Sequence, residues 1–311
     1  MKGGDFPAAP GPIRLRLPAT SANLGAGFDA AAVALDFHLE LEAQSAEQFS
    51  IEALGRDAEC CSGLEDNLIL GIYRSLLEEA QRPCIPLAIR MNNQIPLGMG
   101  CGSSAAGRLA GIALAVHFGQ LGWSSERIIE EASALEGHPD NAAACWLGGY
   151  VSAATVGRRV HVARVIPPVQ WRAIVVLPTE PLATSKARAV LPGSYPREDV
   201  IANLQSVSLL GLAFAQARGD LLRVAMSDRI HQPYRGGICP MLPLLLPLTG
   251  KEGILGVALS GAGPAVLVIV EDETAVERAI ALLRGRLDDC EAAEMIVCLF
   301  QSTGANVENR P

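Results

Sequence analysis

Pro96–Gly119, with the sequence PLGMGCGSSAAGRLAGIALAVHFG, decides the fold predicted for this chain. The first part combines alternating glycines with two serines, Gly98, Gly100, Gly102, Ser103 and Ser104. Serine favours helix starts, and the alanine-rich run that follows contains no proline before Gly119, so we expect a helix there. A glycine-rich loop at a helix N-terminus presents unpaired N–H groups and the positive end of the helix dipole. This arrangement is typical of phosphate-binding sites.

The loop matches neither of the two common phosphate-binding motifs. A Walker loop requires a lysine before its Ser or Thr, whereas Ser103 directly follows Gly102. The dinucleotide motif requires Gly or Ala at the position of Ser103. Gly25, Gly27 and Ala30 fit G-x-G-x-x-A, but we expect them in a polar loop and not between a strand and a helix. A purely structural turn that enters a buried helix is the alternative at this stage.

The composition predicts a folded, soluble, cytoplasmic protein. Half of the 311 residues are hydrophobic and 19% are charged, which favours a packed core over disorder. The net charge of −8 argues against nucleic acid or an anionic membrane as the main partner. The eight cysteines form no C-x-x-C pair and no H-E-x-x-H motif occurs, so we expect no zinc site. We expect neither a signal peptide nor a membrane span, and the sequence leaves a homodimer open.

Hydrophobic periodicity predicts interleaved strands and helices, and therefore an α+β fold. We expect strands at 13–17, 33–43, 49–54, 86–91, 148–154, 171–177 and 296–300, with two more around 260–264. We expect helices at 67–80, after Ser103, from Ser124 or Ser125 to Glu136, and at 198–218 and 273–286. Pro167-Pro168 is the predicted domain boundary, which gives domains 1–167 and 168–311. A last strand near 296–305 could return to the first domain.

Glu136 lies at the predicted C-terminal end of a helix, where the helix dipole disfavours a negative charge by about 0.3–1 kcal/mol. A bound cation would relieve this cost, and hard oxygen ligands suit Mg²⁺. His138, Asp140 and Asn141 follow closely and break the helix. A solvated surface glutamate is the alternative.

Two further pairs of polar residues are candidates for binding a small molecule. Asn23 and Asp29 could hold an amine or a hydroxyl, although Asn and Asp also commonly bond their own turn backbone. Arg188 and Arg235 could clamp a carboxylate through two parallel hydrogen bonds, although each alone could be a surface arginine.

Taken in order, the motifs of nearly the whole chain resemble the GHMP small-molecule kinase superfamily and, within it, the homoserine kinases. The resemblance rests on PATSANLGAGFD (18–29), PLGMGCGSSAA (96–106), EGHPDN (136–141), QPYR (232–235) and SGAGP (260–264). It implies a two-domain fold, with an N-terminal domain like domain 2 of ribosomal protein S5 and a ferredoxin-like C-terminal domain. It also implies ATP-dependent phosphorylation of the homoserine hydroxyl to O-phospho-L-homoserine, a step of threonine biosynthesis. A GHMP kinase for mevalonate or a sugar, or a silent nucleotide-binding regulator, is the alternative.

The resemblance implies a role for each matching residue. ATP would contact Pro96, Leu97, Gly98, Gly100, Cys101, Gly102, Ser103, Ser104 and Ala105. Mg²⁺ would lie on Glu136 and on Ser104 or Ser103. The amino acid would contact Asn23, Asp29, His138, Asn141, Thr184, Arg188, Arg235, Gly261 and Gly263. Glu136, Ser104 and Asn141 are the predicted catalytic residues.

Homoserine kinases have asparagine where some relatives carry an aspartate base, and Asn141 matches that place, beside Asp140. We therefore expect Asn141 to orient the hydroxyl without a dedicated carboxylate base, because phosphoryl transfer depends mainly on positioning and charge neutralisation. The chain also departs from the usual family pattern at Ala26, Ala31, Ala32 and Cys101. These small residues are expected to widen the walls of the site and so to affect substrate preference.

Overall fold

The computed structural model describes residues 10–287 and 293–309. The outermost residues of the two predicted domains, 1–9 and 310–311, lie outside this part of the chain, as does Cys290. The described strands are β1 (Ile13–Asn23), β2 (Gly27–Ser45), β3 (Ser50–Gly55), β4 (Leu87–Asn93), β5 (Tyr150–Val156), β6 (Arg159–Val165), β7 (Arg172–Leu177), β8 (Ile254–Leu259), β9 (Val266–Val270), β10 (Glu294–Cys298) and β11 (Asn306–Asn309). The described helices are α1 (Ala58–Ser62), α2 (Leu68–Glu79), α3 (Ser103–Phe118), α4 (Ser125–Glu136), α5 (Asp140–Leu147), α6 (Thr184–Ala189), α7 (Arg197–Ala215), α8 (Gly219–Ala225), α9 (Gln232–Arg235), α10 (Met241–Leu245) and α11 (Glu273–Leu287). This mixture confirms the predicted α+β class.

The first sheet contains seven strands within the described residues. Its main path runs β11–β1–β2–β4–β3, while β5 pairs with β2 and β6 pairs with β5. β1 and β2 form a long antiparallel hairpin in which Leu15 lies opposite Leu41. Both leucines are buried, as the alternation of apolar and basic residues at the start of β1 predicts. Helices α3 and α5 both pack on this hairpin.

The second sheet has the order β10–β7–β9–β8 in the described chain, and its pairs are all antiparallel. Helices α10 and α11 pack against it. The continuous apolar run of β9 (Val266–Val270) is buried throughout, as expected of a central strand covered by helices. A second core cluster therefore lies between this sheet and its helices.

Helix α3 starts at Ser103, as predicted, but Gly102 and not a serine occupies its N-cap position. Gly102 has a φ of +74°, and no side chain caps the helix. The alanine-rich body of α3 is almost entirely buried, which fits a helix that is apolar on all faces.

The predicted polar loop at 18–29 is mostly β-strand, because β1 continues to Asn23 and β2 begins at Gly27. Thr20, Ser21 and Asn23 are buried and find partners inside the protein instead of water, whereas Asp29 is partly exposed. Thr20 lies 2.6 Å from Asn141, Asn23 donates to Gly261 O at 2.7 Å, and Ser21 lies 2.8 Å from Ser260. The polarity that suggested a loop therefore reflects internal hydrogen bonds.

The break predicted after Glu136 is short, because α5 begins at Asp140. This helix, like α1, α6, α8, α9 and α10, was not predicted. Helices of one or two turns show too little apolar periodicity to be recognised in a sequence.

The C-terminal segment divides between the two sheets. β10 pairs with β7 in the second sheet, whereas β11 pairs with β1 in the first. The return therefore occurs at a bridge between Phe300 and Leu35 and at β11, not along one strand at 296–305. The domain boundary at Pro167-Pro168 stays a prediction. No helix within residues 10–287 and 293–309 has the length and apolar character needed to cross a bilayer.

Candidate active site

A cleft of about 130 Å³ collects residues from distant parts of the chain. Predicted site residues that line it are Asn23, Asp29, Gly98, Gly100, Gly102, Ser103, Ser104, Glu136, His138, Asn141, Thr184, Arg188, Arg235, Gly261 and Gly263. Asp140, Ala22, Leu182 and Ala262 complete its walls. Pro96, Leu97, Cys101 and Ala105 were also predicted to bind the nucleotide, but they do not line this cleft.

The glycine loop packs closely against Thr20 and Ser260, which leave no room for larger residues. A Cβ atom on Gly102 would lie 1.9 Å from Thr20 Oγ1, and one on Gly100 would lie 2.2 Å from Ser260 O. Both glycines also have positive φ angles, which side chains disfavour. Ser260 Oγ donates to Gly100 O at 2.7 Å. The turn after β8 and the end of β1 thus fix the loop at the start of α3.

Cys101 faces the core and not the cleft. Its side chain is fully buried, and this burial raises the pKa of the thiol to about 12. Pro96 and Ala105 are buried as well. The thiol of Cys101 therefore cannot contact a ligand in the cleft, and only the backbone of these three residues could do so.

A second pocket of about 300 Å³ adjoins the cleft and was missed by sequence analysis. It shares Ser103 and Ser104 with the cleft, and Leu97 lies in its wall. The other lining residues come mainly from the segment 60–69 and from the end of β4. Asn67 is a lining residue that the sequence does mark, as a helix-capping asparagine. Its side chain accepts from the N–H groups of Ile69 and Leu70 at the start of α2. A cap of this kind is too common to indicate a pocket.

Glu136 is the last residue of α4, as predicted, and its side chain is only 12% exposed. Arg108 Nη1 donates to Glu136 Oε2 at 2.5 Å and also to Ser104 Oγ. Sequence analysis missed Arg108, although its spacing of four residues from Ser104 on a helix puts both on one face. Two oxygens predicted to bind a metal ion therefore contact the same cationic group.

Asp140 is fully buried beside the cleft. Its Oδ1 atom accepts from Asn141 N and lies 2.6 Å from His138 Nδ1, while Oδ2 is buried without a partner in the described chain. Burial opposes the charged form of His138, but the hydrogen bond and charge of Asp140 outweigh it and raise the histidine pKa. Thr20 Oγ1 lies 2.6 Å from Asn141 Oδ1 and fixes that amide. Thr20 was not predicted as part of the site.

Asp29 and Arg188 form a bidentate ion pair at the other end of the cleft. Arg188 Nη1 donates to Asp29 Oδ2 at 3.0 Å, and Nη2 donates to Oδ1 at 2.9 Å. Asp29 has a φ of +54°, and its N–H donates to Asn23 Oδ1 at 3.0 Å. The two groups predicted to bind opposite charges of one ligand therefore neutralise each other here.

Arg235 is almost completely buried, with 1% of its surface exposed. Its Nε donates to Ala187 O at 3.1 Å, and Nη1 donates to Gly261 O at 3.2 Å. Among the described residues it forms no salt bridge, and burial together with the charge of Arg188 lowers its pKa. His231 Nδ1 lies 3.2 Å from Nη1 and helps to hold the guanidinium. A buried cation without an anionic partner is a strong site for a carboxylate.

The small residues Ala26, Ala31 and Ala32 are buried and, like Cys101, lie outside the cleft lining. The expectation that they widen the cleft is therefore wrong. Their substitution affects packing within the β1–β2 hairpin and around it.

Comparisons with known proteins show the family to which the chain belongs. The GHMP kinases N terminal domain matches residues 67–149, and the GHMP kinases C terminal domain matches residues 212–288. A homoserine kinase from Solibacter usitatus is 41% identical over 91% of this chain and 90% of its own length. A homoserine kinase from Deinococcus radiodurans is 36% identical over 82% of this chain and 83% of its own length.

Solved structures show the same fold. The crystal structure of homoserine kinase from Cytophaga hutchinsonii superposes with a TM-score of 0.82 at 23% identity, over 97% of this chain and 99% of its own. Mevalonate diphosphate decarboxylase from Staphylococcus aureus has a TM-score of 0.68 at 14% identity, over 96% of this chain and 98% of its own. At these identities the likeness concerns the fold alone.

Proposed function

The chain belongs to the GHMP kinase family and, within it, to the homoserine kinases, and on this premise we propose how its cleft works. The protein transfers the γ-phosphoryl group of ATP to the side-chain hydroxyl of L-homoserine and releases O-phospho-L-homoserine. One observation carries this assignment beyond the family: a helix N-terminus suited to phosphates shares a cleft with an Asp29, Arg188 and Arg235 set suited to a zwitterion.

The glycine loop and the start of α3 are the proposed phosphate site. Its glycines allow the backbone to approach an anion closely, and the helix dipole adds favourable potential. The second pocket shares Ser103 and Ser104 with the cleft, so one nucleotide could occupy both. We therefore assign the nucleoside to that pocket and the triphosphate to the loop.

The residues present fit a magnesium ion. Ser104 Oγ and Glu136 Oε2 both contact the guanidinium of Arg108, so two hard oxygens converge on a position that already attracts a cation. Mg²⁺ bound there would neutralise the charge of the transferred phosphoryl group. The role of this chain is to hold the two oxygens on the ends of α3 and α4.

The opposite end of the cleft is assigned to the amino acid. The substrate carboxylate would bind Arg235, which forms no salt bridge among the described residues, together with Arg188. Asp29 would then exchange its arginine partner for the substrate ammonium group. A zwitterion satisfies both charges of the existing ion pair, which a neutral sugar cannot do. Asn23, His138, Thr184, Gly261 and Gly263 complete this part of the wall.

Asn141 is proposed to orient the acceptor hydroxyl. Its amide is fixed by Thr20 and lies at the start of α5, in the cleft wall. Asp140 is fully buried, and its Oδ1 atom accepts from Asn141 N and contacts His138, while Oδ2 is buried without a partner among the described residues. We take the fixed amide of Asn141, and not this buried carboxylate, as the group that meets the hydroxyl. We therefore assign the reaction to positioning and charge neutralisation, without a carboxylate base.

Mevalonate is the alternative acceptor that fits best, because its carboxylate could bind the two arginines. It has no ammonium group for Asp29, and the curated relatives named above are homoserine kinases. The cytoplasmic location and the homodimer considered from the sequence stay predictions.

A coupled assay of ADP release tests the proposal. L-homoserine, mevalonate, galactose and a control without acceptor are compared at saturating ATP and Mg²⁺. We expect turnover with homoserine only. Selective turnover of mevalonate would overturn the substrate assignment, and no turnover with any acceptor would favour a nucleotide-binding regulator.

A further inference from the structure

Arg108 lies between the two oxygens assigned to the metal ion. Its Nη1 atom donates to Glu136 Oε2 at 2.5 Å and to Ser104 Oγ. The arginine side chain is 22% exposed and that of Glu136 is 12% exposed, so the pair is largely shielded from solvent. Neither the phosphate site nor the amino-acid site described above requires an arginine here.

Glu136 needs a cationic partner even when no ligand is bound. It ends α4, where the helix dipole is negative, and its carboxylate has little access to water. Burying a carboxylate without a partner is strongly unfavourable, so the contact with Arg108 stabilises Glu136 in its position.

A metal ion on the same oxygens would conflict with this arginine. Magnesium binds oxygen ligands at about 2.0–2.1 Å. A dication on Glu136 Oε2 would therefore lie within about 5 Å of the guanidinium, in a poorly solvated site where like charges repel strongly. Binding of the ion to these two oxygens therefore competes with their contacts to Arg108.

We propose that Arg108 is a resident counter-cation of the metal site, which holds Ser104 and Glu136 in place and is displaced when the metal ion enters. This inference rests on the proposed function, because it takes Glu136 as a metal ligand. A nucleotide offers the displaced guanidinium phosphate oxygens as new partners, whereas a bare ion offers none. Arg108 therefore selects the metal–nucleotide complex against the free metal ion.

The test is a titration with Mn²⁺, a paramagnetic substitute for Mg²⁺, followed by electron paramagnetic resonance on the full-length protein. Replacing Arg108 by methionine keeps a long side chain and removes the charge. In the absence of nucleotide, Arg108→Met should bind Mn²⁺ about tenfold more tightly than the wild type. With Mn²⁺–ADP the gain in affinity should be less than about twofold, because the phosphate oxygens of the nucleotide bind the displaced guanidinium of the wild type.

Arg127→Met is the matched control. Arg127 also pairs with a glutamate of α4, Glu131, at 2.7 Å. The substitution removes one positive charge from α4, the helix that carries Glu136, without changing a residue of the metal site. We therefore expect unchanged Mn²⁺ affinity. An equal gain in Arg127→Met would overturn the proposal, as would an Arg108→Met protein that binds free Mn²⁺ no more tightly than wild type.

Two more variants keep the test decisive. Arg108→Lys retains the charge and protects folding. Because it loses the double contact, its Mn²⁺ affinity should lie between those of the wild type and Arg108→Met, and an affinity below the wild type would contradict the proposal.

Glu136→Gln examines the metal site itself. If it leaves Mn²⁺ binding unchanged, the proposed function fails at the metal site. If it weakens binding while Arg108→Met has no effect, only the role of Arg108 fails.

Discussion

The two ends of the cleft contain the same kind of ion pair in different surroundings. At the phosphate end, Arg108 in the second turn of α3 pairs with Glu136 at the end of α4, beside a glycine loop whose close contacts exclude larger residues. At the amino-acid end, Asp29 and Arg188 are about one-third or more exposed and are joined by the buried Arg235. The first end therefore depends on a tightly packed glycine loop in addition to its ion pair, whereas the second depends on charged side chains. Phosphate recognition therefore tolerates few changes, whereas acceptor preference depends on a few charged groups.

Removing charge at the phosphate end should have the largest effect. Glu136→Gln should lower kcat by a factor on the order of 10²–10³, because charge stabilisation of the transferred group is lost. The KM for homoserine should stay within about threefold of the wild type, since the acceptor site is untouched. Steady-state kinetics measures both constants. Glu131→Gln, on the same helix, is the control, and a Glu136→Gln kcat within about fivefold of wild type would contradict the assignment.

Removing charge at the amino-acid end should act on binding instead. Arg235→Ala should raise the KM for homoserine by about 10²-fold and leave the KM for ATP within about twofold, because a carboxylate clamp acts mainly on the acceptor. Thermal unfolding must accompany the kinetics, since Arg235 is buried. Arg229→Ala, an exposed arginine near α9 that pairs with Asp199 at 3.4 Å, is the control. An equal rise in the KM for homoserine and the KM for ATP would contradict the assignment of Arg235 to the amino-acid end alone.

The smallest effect is expected at the carboxylate between the two ends. Asp140→Asn keeps an oxygen that can accept from His138 and from Asn141 N, so the local structure should persist. Its kcat should fall by less than about tenfold, whereas loss of a general base typically costs about 10²–10⁴-fold. The measurement combines turnover with ATP binding and thermal unfolding. Abolished turnover in a folded variant that binds ATP would make Asp140 a base.

Much of the fold was predictable from periodicity and resemblance. The helices α2, α3, α4, α7 and α11 were predicted to within a few residues, because their apolar spacing and end signals are strong. The resemblance supplied the two-domain α+β GHMP kinase fold, which the family matches confirm. The polar segment at 18–23 was misread because its hydrogen-bond partners lie far away in the sequence.

The resemblance indicated side chains from distant parts of the chain that do line the cleft, such as Glu136 and Asn141, but not the residues that hold them in place. Glycine spacing alone indicated the phosphate loop, since only glycine permits those contacts. Thr20 was missed because its partner, Asn141, is 121 residues away. Arg108 was missed because its partner Glu136 belongs to another helix, and nothing in either segment signals the pairing. The second pocket was missed for the same reason.

One measurement tests most directly the claim that this cleft recognises a zwitterionic alcohol. ADP release is compared for L-homoserine, 4-hydroxybutyrate, which lacks the ammonium group, and 3-aminopropan-1-ol, which lacks the carboxylate. The account predicts that kcat/KM falls by at least about 10²-fold for each truncated alcohol. 4-Hydroxybutyrate offers no ammonium group to Asp29, and 3-aminopropan-1-ol offers no carboxylate to Arg188 and Arg235. Comparable turnover of either truncated alcohol and homoserine would contradict it.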